Sequence, residues 1–104
     1  MFMTNIESVP GKTIGTCYGI VSGSTVRSKH AGRDIMAGLK NIFGGELIGY
    51  TELLNESRDQ AVQRMQLQAQ QMGANAIVNI RFSTSSVATG AAEIYVYGTA
   101  VTVV

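Results

Sequence analysis

The stretch GELIGYTELLNESRDQAVQRMQLQAQQMGANAIVNIR, Gly45 to Arg81, constrains this chain more than any other part of it. From about Tyr50 the apolar residues recur at helical spacing. At 100° per residue Leu54, Ala61, Met65 and Met72 fall nearly on one line, and most of the glutamines between Gln60 and Gln71 fall opposite. Such a helix has one face to bury. It ends at Met72, since Gly73 stands where a left-handed cap is wanted, and the chain passes at once into the β-rich run Ala76–Ala88. A second run, Ala92–Val104, follows Thr89-Gly90-Ala91, a short hairpin loop by composition. The helix must lay its single apolar face on that hairpin.

The N-terminal half supplies the rest of the layer. Met1–Ser8 has room for a short strand, and Pro10-Gly11 breaks it before the clearer strand Lys12–Val21. Glycine-rich Ser22–Arg33 reads as a loop, with Ser28 as the cap of a first helix over Ala31–Phe43 that Gly44-Gly45 terminates. Its core stripe is Ile35, Met36, Leu39, Ile42 and Phe43. The order β-α-α-β-β predicts an α+β fold: a three-stranded, mainly antiparallel sheet with both helices on one face, in a single domain spanning 1–104.

The last strand has two non-polar rows. Ile94, Val96, Gly98, Ala100 and Thr102 point one way, and Tyr95, Tyr97, Thr99, Val101 and Val103 the other. Small residues at Gly98 and Ala100 suit close helix packing. The tyrosine and valine row then needs another cover, and a second subunit is the simplest, since soluble monomers rarely leave several hundred Å² of contiguous apolar surface in water. Charged residues make up only 14% of the chain, against the roughly 25% usual for soluble domains.

Net charge is +1, so no field argues for nucleic acid or an anionic membrane. No window reaches the 18 or so consecutive apolar residues of a membrane span. The start MFMTNIESVP lacks the basic and apolar regions of a signal peptide, and the single Cys17 excludes an internal disulfide. A cytoplasmic location is expected.

With the elements placed, a resemblance can be read from Gly19-Ile20-Val21-Ser22-Gly23, Arg33-Asp34, Gly44-Gly45, Tyr50, Arg58, Gly73-Ala74-Asn75-Ala76-Ile77-Val78 and Tyr97-Gly98-Thr99-Ala100-Val101. In this order and spacing, over nearly the whole chain, they resemble the YbjQ-like family of small bacterial proteins, which carries a heavy-metal-binding label. The resemblance implies compact subunits assembled as dodecin-like homopentamers and implies no particular reaction. The pentamer comes from the resemblance; the residue pattern argues only for self-association.

The residues themselves support the metal label weakly. A soft metal takes three or four thiolates, imidazoles or thioethers converging on one point. This chain offers Cys17, His30 and five methionines, with no CxxC and no HxxxH. The plain reading is a packed strand cysteine and a loop histidine. A rotational axis, however, turns one thiol per chain into a ring of thiols.

Arg27, Lys29, His30 and Arg33 cluster where the first helix is expected to begin, a place that favours a phosphate or carboxylate, although no P-loop motif is present. Arg58 falls about 40° from the apolar stripe of the second helix. The expected role is a structural ion pair with Asp34, Glu46 or Glu93; the alternative is recognition of a ligand carboxylate or phosphate by its planar fork. Arg27, Arg33 and Arg58 are thus the candidate ligand-binding residues. No Ser-His-Asp or Cys-His constellation can be assembled around the single histidine, so an enzyme is not expected. The favoured reading is a homo-oligomeric protein binding a metal ion or small anion between subunits. The alternative is a scaffold oligomer with no ligand of its own.

Overall fold

The computed structural model describes residues 1–28, 48–88 and 91–104. In chain order the elements are β1 (Phe2–Met3), β2 (Ile14–Ser28), α1 (Ile48–Met72), β3 (Ala76–Ala88) and β4 (Ala91–Val103). The strands form one mixed sheet in the order β1-β3-β4-β2, with β1 parallel to β3 and the other neighbours antiparallel. The α+β class stands, but the sheet has four strands where three were expected. The fourth is the two-residue β1, which Phe2↔Ala76 and Met3↔Ile77 hold in register. The expected first helix, Ala31–Phe43, lies outside the described residues.

The helix and the hairpin strands lie close to the expected bounds. Gly73 takes a φ of 93°, its N–H reaches Gln70 O at 3.0 Å, and Ala74 N reaches Ala69 O at 3.1 Å. These two bonds are the paired closures of a glycine-terminated helix. The next residue, Asn75, clasps the end of β4: its Nδ2 donates to Val103 O at 3.0 Å and its Oδ1 accepts from Val103 N at 2.8 Å. The Gly-Ala-Asn-Ala junction is thereby a structural hinge. Glycine turns the chain, Ala74 and Ala76 are buried, and the asparagine side chain stands in for a neighbouring strand.

β2 corrects the sequence reading most clearly. It does not stop at Val21 but continues through Ser22-Gly23-Ser24 to Ser28, paired with β4 throughout. Glycine at 23 is a close-approach residue. A Cβ there would lie 2.0 Å from Ala61 O and 2.7 Å from Met65 N, so the backbone of α1 rests on β2 at this point. The fully buried row of α1 is accordingly Ser57, Ala61, Met65 and Ala69. Leu54 is only partly buried, and Met72, expected in the same line, is exposed. Three small residues in that row let helix and strand backbones meet, which rotates the seat of the helix away from its larger side chains. Thr25 Oγ1 donates to Ser57 O at 3.1 Å inside the contact.

The row Ile94, Val96 and Ala100 does face α1, as expected. Gly98 serves another purpose: a Cβ there would sit 2.7 Å from Ile77 Cγ2 and 3.0 Å from Val78 O, against an irregularity in β3 between Val78 and Arg81. On the opposite face a second cluster joins Val101 and Val103 to Ala76, Val78 and Val9. The expected subunit cover of those two valines is therefore incorrect, because Val9, in the segment between β1 and β2, covers them within the chain. Tyr95 and Tyr97 lie further along, stacked at 5.6 Å between ring centroids, with Tyr97 still exposed.

Candidate functional site

Of the residues singled out in the sequence, Arg27, Arg58 and Cys17 fall among the described ones. Arg27 lies in β2, not in a loop before a helix, with Ala92 as its register partner. Arg33 and His30, with Lys29 and Asp34, lie outside the described residues. Arg58 is exposed on α1, and its Nη1 donates to Asn55 Oδ1 at 3.2 Å. It does not face the core as expected, and among the described residues no carboxylate, Glu93 included, pairs with it. The cause is again the small-residue row, which turns the buried face toward Ser57 and leaves Arg58 on the flank. Arg27 and Arg58 share one end of the molecule all the same, since Thr25 of β2 bonds to Ser57 of α1.

Cys17 is an exposed free thiol opposite Val101 in β2, next to the irregularity at Gly19, whose φ is 104°. Among the described residues no three His, Cys, Asp or Glu side chains converge on one point. The donors of a heavy-metal site are therefore not assembled within these residues of one chain.

The structure instead forms a groove that sequence reasoning missed, lined by Met3, Thr4, Asn5, Val62, Ile80, Arg81 and Phe82. The chain leaving β1 builds its floor: Thr4 N donates to Ile77 O at 3.0 Å, Ile80 N to Thr4 O at 3.1 Å and Asn79 N to Ile6 O at 2.9 Å. Asn79 adopts a φ of 55°, a left-handed conformation that asparagine tolerates better than most residues. That kink puts Ile80 beside Val62 of the helix. Arg81 then ties the strand to the N-terminal segment, its Nη1 donating to Asn5 O at 2.7 Å and to Ile80 O at 2.9 Å. With two acceptors met inside the chain, Arg81 is a fastener of the groove wall. Phe82 and Met3 stay exposed at its rim. The only advance signal was the β-branched break at Val78-Asn79-Ile80, which does not identify its partner.

A long helix laid on one face of a mixed four-stranded sheet, with an apolar groove where helix, edge strand and N-terminal segment meet, defines a small α+β protein. The chain belongs to the YbjQ family, whose model, described as "putative heavy-metal-binding", matches residues 1–104. It is similar to UPF0145 proteins from several bacteria. The one from Hahella chejuensis is 69% identical over 101 residues, 97% of each chain. That from Vibrio parahaemolyticus is 56% identical over 104 residues, 100% of this chain and 99% of the other. The names of these relatives carry no enzymatic activity. A solved structure of a protein of unknown function from the DUF74 family of Pediococcus pentosaceus superposes with a TM-score of 0.68. It covers 100% of this chain and 98% of its own at 19% identity, which supports the fold alone.

Proposed function

We propose that this protein is a homo-oligomeric binding protein of the bacterial cytoplasm whose ligand, a metal ion or a small anion, is held between subunits rather than within one. The observation that carries the reading is the amount of apolar side chain left in water. Ile20 is 73% exposed, Val26 57%, Leu67 55% and Phe82 52%, on a chain with a net charge of only +1. Its shape agrees. The Cα radius of gyration is 16.8 Å, where a compact chain of this length has about 13 Å.

The reading of a shared ligand site is supported by the donors found among the described residues. A soft metal takes three or four donors, and the described residues contribute one exposed thiol, Cys17, which a rotational axis would repeat as a ring. For an anion the candidates are Arg27, Arg33 and Arg58, where exposed Arg58 has its guanidinium free to turn toward a carboxylate or phosphate. The pentamer of the family resemblance is the assembly proposed.

Native mass spectrometry of gently purified protein, combined with elemental analysis, tests the reading. The expected result is a homo-oligomer carrying a retained ion or small anion. A metal lost in Cys17→Ser with assembly intact assigns the thiol ring, and an anion lost in Arg58→Ala assigns the arginines. An oligomer that retains neither establishes the scaffold reading instead, and a monomer refutes both.

A further inference from the structure

The N-terminal segment, residues 1–13, is attached by its backbone rather than by its side chains. Phe2 N donates to Asn75 O at 3.0 Å, Thr4 N to Ile77 O at 3.0 Å, Asn79 N to Ile6 O at 2.9 Å and Ile80 N to Thr4 O at 3.1 Å. Arg81 adds a latch from β3, its Nη1 donating to Asn5 O at 2.7 Å. Of the side chains in this segment only Val9 is buried, while Phe2, Met3 and Ile6 stand exposed. Few buried apolar groups and backbone bonds close to solvent mark the parts of a protein that open while the rest stays folded.

The segment also has a defined hinge. Val9-Pro10-Gly11-Lys12 is a turn with proline second and glycine third, where Gly11 takes a φ of 77° and Lys12 N donates to Val9 O at 3.0 Å. Immediately beyond it the chain is fixed, since Thr13 and Val104 exchange two bonds of 3.0 Å. The free end folds back to the same hinge, with Lys12 Nζ 5.0 Å from the centroid of the Phe2 ring, so residues 2–12 form a loop closed on itself. The core under α1, which contains Val21, Ala61, Met65, Ile77, Ile94 and Val96, includes no residue of this loop. Lifting the loop therefore leaves the seat of the helix untouched.

We propose that residues 1–12 are a strap that opens as one unit about the Pro10-Gly11 turn while α1 and strands β2, β3 and β4 stay folded. Opening changes three things at once. Val9 leaves Ala76, Val78, Val101 and Val103, so a buried valine cluster becomes a surface. Met3, Thr4 and Asn5 leave the groove, which loses the wall opposite Val62 and Ile80. The Arg81 guanidinium gives up Asn5 O and keeps only Ile80 O of its two acceptors. The groove thus exists only in the closed state, and whatever fills it holds the strap shut by binding that state alone.

Native-state amide hydrogen exchange of the whole protein, repeated at low urea concentrations, is the direct test. The amides of Thr4, Asn79 and Ile80 all bond across the strap, and those of Met65 and Ala69 lie in the buried row of α1. The first three should exchange through one common opening, with protection roughly a hundredfold or more below that of Met65 and Ala69. Their exchange should depend only weakly on urea, because the strap exposes little surface. Arg81→Ala at an exposed position removes the latch and should speed all three amides by about tenfold, the equivalent of one charged hydrogen bond, with Met65 and Ala69 unchanged. Exchange of Thr4, Asn79 and Ile80 only together with Met65 and Ala69 would overturn the proposal. So would an acceleration confined to one of the three, which is fraying at a single bond and not the movement of a strap.

Discussion

Replacing Gly23 with alanine asks whether the contact between α1 and β2 is as close as the structure makes it. The added Cβ would meet Ala61 O at 2.0 Å and Met65 N at 2.7 Å. Both obstacles are helix backbone, which cannot rotate aside as a side chain can. Restoring an ordinary contact of 3.4 Å requires the helix to retreat by about 1.4 Å, and a gap of about 0.5–1 Å already forfeits roughly a quarter to a half of the dispersion energy of the atoms facing it. Ser57, Ala61, Met65 and Ala69, all fully buried along this seam, would share the loss. Overpacking of this kind costs about 1–3 kcal/mol, occasionally more. Alanine returns about 0.4–1 kcal/mol by restricting the unfolded chain. A net destabilisation of about 1–2 kcal/mol is expected, which at a urea m-value of about 1–3 kcal/mol/M lowers the midpoint by roughly 0.5–1 M. The control is Gly15→Ala, whose Cβ would meet only Thr102 Oγ1 at 3.7 Å and Thr102 O at 3.8 Å, and which should leave the midpoint unchanged or raise it. Both variants are compared with wild type at one protein concentration. An unchanged midpoint for Gly23→Ala would refute the close seat of the helix and, with it, the reason β2 runs on through a glycine-rich segment.

Three further outcomes follow from the same packing. Val101→Lys should destabilise the fold itself by several kcal/mol, seen as loss of circular dichroism at temperatures the wild type survives, because Val101 is 1% exposed beneath Val9 and a lysine there would be a buried unpaired charge. A folded but dissociated Val101→Lys protein would restore the interface assignment. Asn75→Ala removes both bonds to Val103 and should cost about 1–3 kcal/mol in chemical denaturation, since two part-buried backbone groups lose their partner. Arg58→Ala should change the unfolding free energy from urea denaturation by no more than the roughly 0.5 kcal/mol usual for surface positions, as the guanidinium is exposed and bonded only to Asn55 among the described residues; a loss of a few kcal/mol would indicate a buried ion pair after all.

The sequence by itself determined the elements whose signals are local. The helix from about Tyr50 to Met72, the glycine stop at Gly73 and the two strands of the C-terminal hairpin were legible because period, cap and β-branched run each act within a few residues. So was the row Ile94, Val96 and Ala100 that receives the helix. The tertiary structure decided what depends on a partner far along the chain. Ser22-Gly23-Ser24 has loop composition, yet it is strand, because β4 pairs with it and α1 presses on the glycine. Leu54 and Met72 look like the core line of α1, yet Ser57 and Ala69 take it with Ala61 and Met65, since the smallest side chains allow the closest approach. Val101 and Val103 look unpartnered until Val9, more than ninety residues earlier, closes over them. The groove at Phe82 was invisible for the same reason. Its walls come from β1, α1 and β3, and no periodicity within one segment encodes the side chain that another segment will bring beside it.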